Sequence, residues 1–392
     1  MVPNLNRAPK NGGRKVKLSV RLSIPILLVV ILQLVTFFAI LALVGEFGNI
    51  RQYAYSTLEE KTANRRNYVQ TQLQGSPTVV QEYSAQINSL VAGILEEKHA
   101  TIAQVQTDRD LDRDILEASV DTMVELMRRA SVNDAYLILE SGELYADQGF
   151  GDAKAALYLR DLDPRAGSGY DDLMMEVGFT SIAQGFGITR DSGWSLYFTA
   201  DRSDGKNYDF YYKTLQTARE NPTLALSNLG YWSGFSKISV QATASMKYSL
   251  PLIADDGTVY GVIGIGLTDN TVLSNIPSYD FLSETACYVL GRAASDNGFE
   301  VLTHSGSSFG RLVGTAETLR VGEMLEEGIW DFDMSGDIAL AGSVQYIALY
   351  DEDSPYAGEQ WALISVADRG SVLRPLTRLV QMLLLSTVVS LS

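Results

Sequence analysis

A run without a single charged residue, Leu22 to Gly45, limits this chain more than any other feature. Ahead of it, Met1 to Arg21 holds six basic residues (Arg7, Lys10, Arg14, Lys15, Lys17 and Arg21) and no acid. Each of the 47 acidic residues lies at Glu46 or later, and none follows Asp368. A helix crosses the hydrocarbon of a bilayer with about 20 apolar residues, so the run reads as a transmembrane helix over 22–45, with Pro25 in its first turn. A cleaved secretory signal is the rival reading. Its apolar part would span about 7–15 residues before a small-residue site, and Gly45-Glu46-Phe47-Gly48 is a poor one. The uncleaved anchor is preferred, and the basic cluster then places the tail 1–21 in the cytoplasm.

The other end repeats the pattern. Arg374 and Arg378 flank Pro375, and Leu379 to Ser392 carries no charge. That stretch falls short of a span and reads as the start of a second transmembrane helix over 375–392, with an amphipathic terminal helix as the alternative. Between the two runs the balance is strongly acidic. Six N-terminal and two C-terminal basic residues taken from 31 leave 23, so residues 46–372 carry 23 − 47 = −24. Such a surface repels nucleic acid, which is excluded as a partner. The single cysteine, Cys287, lies in an apolar Ala-Cys-Tyr-Val-Leu run and reads as a buried strand position.

After the anchor, apolar residues recur at helical spacing. Tyr83, Ile87, Leu90 and Ile94 form one stripe, and Ile115, Val120, Met123 and Leu126 another, with a break expected at Gly75-Ser76-Pro77. A helical stalk over 46–130 follows from this. The texture then changes to strands: Ala135–Glu140, Trp194–Thr199, Ser245–Leu252, Val259–Leu267, Cys287–Leu290, Phe299–Thr303, Val344–Tyr350 and Trp361–Val366. Asp255-Asp256-Gly257 closes a hairpin between the third and fourth of these. Helices followed by runs of antiparallel strands, twice, predict an α+β protein with sheet domains over 131–282 and 283–370.

No catalytic constellation is found. Gly261, Gly264 and Gly266 sit inside a strand and signal close packing, not a phosphate loop. His99 and His304 are far apart and no His/Cys metal cluster exists; Asp351-Glu352-Asp353 lacks calcium-loop spacing. No cofactor, metal or catalytic residue is expected.

Four stretches, Ala156–Pro164, Tyr208–Thr214, Leu229–Ser233 and Tyr248–Ile265, together with the order of parts, resemble double Cache (dCache) sensors of bacterial, clostridial-type receptors. Tyr350–Trp361 resembles the closing strand and loop of the second module. The resemblance implies a transmembrane helix, long extracytoplasmic helices, two PAS-like antiparallel sheet domains, and a second transmembrane helix, here truncated. It implies a small molecule bound in the membrane-distal domain and a helix shift passed to a histidine kinase or, second, a diguanylate cyclase inside the cell. A homodimer in the cytoplasmic membrane is expected, with residues 46–372 outside. A membrane-tethered enzyme or a passive scaffold is the alternative.

The expected ligand site gathers the aromatic centre of the chain: Trp194, Tyr208, Tyr211, Tyr212, Tyr231, Trp232 and Tyr248, with Lys213. The amino-acid-binding subset of the family carries an arginine ahead of a Trp-Tyr pair and an aspartate at the end of the hairpin's second strand. Here Tyr211-Tyr212-Lys213 has no arginine nearby, and Gly266 stands at the aspartate's place. The expected ligand is therefore a small molecule other than a free amino acid, either an organic acid held by Lys213 or a neutral solute.

Overall fold

The computed structural model describes residues 18–43, 46–141, 153–162, 169–200, 205–238, 242–273, 286–294, 297–333, 338–374 and 381. The chain divides into two compact units, 1–57 with 370–392, and 58–369.

In the first unit, α1 spans Leu18–Leu43, so Pro25 falls inside the helix and not in its first turn. Among the described residues no helix is long and apolar enough to cross a membrane. This corrects the expected transmembrane helix over 22–45. Apart from Gln381, the second expected span, 375–392, lies outside the described residues.

The helix α2, Glu46–Glu97, continues into the second unit without the break expected at Pro77. Val69, Leu73, Ser76, Val80, Tyr83, Ile87 and Val91 are all buried, at intervals of three and four. That unbroken stripe holds the helix through the proline, whose lost hydrogen bond costs about 3 kcal/mol in an isolated helix. Asp108 caps α3 (Arg109–Ala118) by accepting from the backbone N–H of Asp110 and Leu111. Ser119 divides α3 from α4 (Val120–Ala130).

The first sheet has the order β5-β4-β3-β1-β9-β8-β7. Its strands are β1 (Asp134–Leu139), β3 (Ala156–Asp161), β4 (Leu173–Val177), β5 (Thr189–Ser195), β7 (Tyr231–Ser236), β8 (Ser245–Ile253) and β9 (Val259–Thr268). Two short strands, β2 (Ala153–Lys154) and β6 (Phe198–Thr199), pair with each other. The expected hairpin is β8–β9, with Leu250 opposite Ile263. One face packs on α2 to α4 through Leu137, Leu159, Trp232, Tyr248, Leu250 and Ile265. The other packs under α6 (Gly205–Glu220), which follows the short α5 (Thr180–Phe186), through Tyr136, Tyr158, Phe210 and Tyr211.

The second sheet has the order β13-β12-β11-β10-β16-β14, with β15 also on β16. Its strands are β10 (Ala286–Ala293), β11 (Gly298–Ser305), β12 (Thr318–Glu326), β13 (Ile329–Asp333), β14 (Leu340–Ala341), β15 (Val344–Ile347) and β16 (Trp361–Asp368). It curls until Trp330 on β13 exchanges backbone hydrogen bonds of 2.8 and 3.0 Å with Gly342, just past β14. Cys287 is buried on β10 as expected, and burial pushes its thiol up to about 12.

Candidate functional site

Strand register aligns four residues in one row beneath α6. Asp134 on β1 faces Arg160 on β3 and Gly266 on β9, and Gly266 faces Lys247 on β8. Two residues further along, Tyr158, Tyr136, Gly264 and Ser249 form a second row by the same pairings. A third row, Ala156, Ile138, Val262 and Pro251, is apolar. The face thus grades from charged to polar to apolar.

The two strand glycines make room for this chemistry. A Cβ at Gly266 would lie 1.8 Å from the Asp134 carboxylate, and one at Gly264 would lie 2.3 Å from the Tyr136 ring. Both side chains therefore lie flat across β9. Asp134 Oδ1 accepts from the Tyr158 hydroxyl at 2.9 Å. The Tyr136 hydroxyl shares 2.6 Å with Ser249 Oγ, and its ring stacks on Tyr158 at 5.5 Å. Phe210 of α6 meets Tyr136 edge-on at 5.2 Å and closes the face from above.

Four charges are enclosed here. Glu176 of β4 pairs with Arg160. Burial raises the Glu176 carboxyl to about 7, against the pull of Arg160 and helped by Asp134. Lys247 is fully buried, and burial lowers its ammonium to about 8, against the pull of Asp134 and Glu176. Its Nζ donates to Ser236 O at 2.8 Å, Ser245 Oγ at 3.0 Å and Ser245 O at 3.3 Å, all neutral oxygens. Ser236 Oγ is buried with no partner among the described residues. A buried cation met only by neutral acceptors is expensive, and strongly perturbed groups of this kind cluster at functional sites.

The expected aromatic residues do not form one cleft. Tyr208, Tyr211, Tyr212 and Lys213 lie on α6. Tyr211 is buried against Phe198 at 5.4 Å, and Tyr208 meets the same ring at 5.8 Å. Tyr212 donates to Ala200 O at 3.3 Å. Lys213 points away from the row, toward the Tyr231 hydroxyl at 3.1 Å, Asp209 at 3.2 Å and Glu359 at 3.5 Å. Tyr231 sits at the edge of the polar face, its ring 4.8 Å from Tyr356. Trp232 and Tyr248 pack on each other at 5.1 Å in the core on the opposite face. Trp194 lies on the edge strand β5, donating to Gly178 O at 3.0 Å beneath Arg190.

Asp134, Tyr136, Tyr158, Arg160, Glu176 and Lys247 were not among the expected residues. The available signal was polar residues two apart inside otherwise apolar strands: Asp134 and Tyr136, Tyr158 and Arg160, Ser245, Lys247 and Ser249.

No protein-family model matches the sequence, and no curated protein matches it. Among solved structures it is similar to the periplasmic sensory domain of the Campylobacter jejuni chemoreceptor Tlp1, at 13% identity over 83% of this chain and 99% of that one, with a TM-score of 0.45. It is similar to the ligand-binding domain of the Pseudomonas aeruginosa chemoreceptor PctB in complex with L-Gln, at 14% identity over 81% and 91% of the two chains, with a TM-score of 0.40. It is also similar to that of the Pseudomonas fluorescens chemoreceptor CtaA in complex with L-isoleucine, at 12% identity over 84% and 98%, with a TM-score of 0.41. Those complexes hold free amino acids, which overturns the expectation of a ligand other than a free amino acid. The inference from Gly266 was too local: the Asp134 carboxylate of the neighbouring strand lies against that glycine, and Arg160 is next to Asp134 in the register. In architecture the chain is α+β, with two seven-stranded, mostly antiparallel sheets, and its likeness is to bacterial chemoreceptor ligand-binding domains.

Proposed function

We propose that this chain is an extracytoplasmic sensory domain that binds a small zwitterion, a free amino acid, between the first sheet and α6. The observation that supports it is the row Arg160, Asp134, Gly266 and Lys247, which sets two cations around one anion on a buried face. A carboxylate received by Lys247 and Arg160 satisfies the cation that now has only neutral acceptors. An ammonium received by Asp134 completes the pairing. The tyrosine hydroxyls of Tyr136 and Tyr158 orient it, and Phe210 and Tyr211 cover its side chain.

Calorimetry on the full chain tests this with free amino acids, the carboxylic acids that lack the ammonium, and the amines that lack the carboxylate. At least one amino acid binds, and both truncated series bind at least about tenfold more weakly, since each charged hydrogen bond contributes about 1.5–3 kcal/mol. Asp134→Asn weakens the amino acid and leaves the carboxylic acid unchanged. Equal binding of all three series sinks the reading.

A further inference from the structure

The second sheet holds a cavity that the site under α6 does not use. It opens beside the end of β10 and the start of β11, and its volume is about 480 Å³. Small-molecule sites commonly measure about 300–1,000 Å³, and the mouth of a curled sheet is a recurrent place for them. Phe299 of β11, Trp330 of β13 and Tyr346 of β15 line the cavity, with Asn297 and Gln360 beside them.

The walls are held in place by backbone. Trp330 is fixed by its two hydrogen bonds to Gly342. Asn297 occupies the left-handed turn position, φ 57°, ahead of β11. Gln360 accepts from the Ala293 N–H through its carbonyl at 2.8 Å, which leaves its side-chain amide for other partners. The Phe299 and Tyr346 rings stand 6.1 Å apart at 50°, and Tyr346 is 56% exposed. Part of a large aromatic surface therefore faces solvent at the rim of a concave site.

None of the lining residues carries a formal charge, in a chain whose net charge is −16. The ion pair on the same hairpin, Arg292 with Glu300 at 2.8 Å, is not part of the lining. A charged ligand would give up its hydration here for no counter-charge. A neutral ligand with apolar C–H faces and hydroxyl edges matches both halves of the lining: the aromatic faces take the C–H bonds, and the amides of Asn297 and Gln360 donate to and accept from the hydroxyls. We infer that the mouth of the second sheet is a second ligand site, for a neutral polyhydroxylated solute of mono- or disaccharide size, separate from the zwitterion site of the first sheet.

The test is calorimetry on the full chain with D-glucose, D-galactose, D-mannose, N-acetylglucosamine and sucrose. At least one saturates, and its affinity is unchanged between about 0.05 and about 0.5 M salt, as for an uncharged ligand. Tyr346→Ala and Gln360→Ala, both at exposed side chains, each weaken it by about tenfold or more while the circular dichroism stays that of the wild type. Lys247→Met leaves it unchanged, which separates this site from the one under α6. The proposal is overturned by absence of saturation with all five sugars up to about 20 mM. Binding that survives both Tyr346→Ala and Gln360→Ala overturns it too, as does binding lost in Lys247→Met.

Discussion

Beneath α6 the first sheet carries Arg160, Asp134 and Lys247 in a row. The inner face of the second sheet carries Cys287 opposite Val366 and Val289 opposite Ile364. Asp134 and Lys247 are as buried as the apolar residues of the second sheet, and Arg160 is partly buried. The apolar face needs no explanation beyond the hydrophobic effect, at about 25 cal/mol for each Å² removed from water. The charged one opposes folding by desolvation, and apolar residues of the same volume would leave the protein as stable or more so. The proposed reception of a charged ligand by the first face rests on this contrast, since burial alone gives that face no reason to be charged.

The largest effects break this comparison if it is wrong. Ile364→Ala removes buried methyl groups from a closed apolar face and costs about 2–5 kcal/mol, read as a fall in the denaturant midpoint. It leaves amino-acid affinity unchanged. Lys247→Met does the reverse: amino-acid binding weakens by about 10- to 150-fold, the worth of one charged hydrogen bond. Its ligand-free stability stays within about 1 kcal/mol of the wild type, because no carboxylate is orphaned when the ammonium goes. A Lys247→Met protein as unstable as Ile364→Ala would make the row structural and defeat the contrast.

The pH dependence sharpens it further. Folding raises the Glu176 carboxyl from 4.5 to about 7, chiefly by burial. The native state therefore holds that proton more tightly, an advantage present below 4.5 and lost as the pH rises through about 7. Measured against Glu176→Gln, the wild type loses about 3 kcal/mol across this window. Lys247 gives the opposite slope. Its ammonium is lowered from 10.5 to about 8, so against Lys247→Met the wild type loses stability as the pH falls from 10.5 through 8. Cys287 of the second sheet gives no slope below about 9; above it the native state holds the thiol proton more tightly, and that advantage is lost as the pH rises through about 12. Parallel stability curves for wild type and Glu176→Gln from acid to neutral pH would show that this carboxyl is not enclosed.

Much of the fold was legible because local patterns dictate it. The β8–β9 hairpin follows from a turn of Asp and Gly between two apolar runs. The stripe from Val69 to Val91 dictates α2, but its strength against Pro77 is a property of the packed sheet and helices and cannot be weighed from the proline alone. The site was less legible for two reasons. Lys247 sits between Met246 and Tyr248, so a buried strand hides which face it shares, and aromatic richness drew attention to Trp232 and Tyr248 on the opposite side. Gly266 was read as an absent acid, although its emptiness is the space that Asp134 fills from a strand far away in sequence. Side-chain spacing within a strand is local; register between β1, β3, β8 and β9 is not.

The smallest effect asks whether the two faces act independently. The Trp232 N–H, at the bulge of β7, donates to the Tyr350 hydroxyl at 3.0 Å, and that hydroxyl belongs to the segment between β15 and β16. Tyr350→Phe keeps the ring, which lies 5.6 Å from Tyr356, and removes the hydroxyl, which accepts from the Trp232 N–H and donates to Trp232 O at 3.4 Å. An unpaired N–H in a buried strand costs about 1–2 kcal/mol, so the stability loss is of that size. The informative readout is amide exchange in β16. If the proposed amino acid is held by Lys247 of β8, its effect has a path: β8 holds β7 through its ladder, and Tyr350 ties β7 to the second sheet. Exchange in β16 therefore slows on binding in the wild type, and the slowing shrinks in Tyr350→Phe by the energy of the lost bond. Exchange in β16 that ignores the ligand in both proteins would mean that the charged face signals along another route, and that the apolar sheet is only a support.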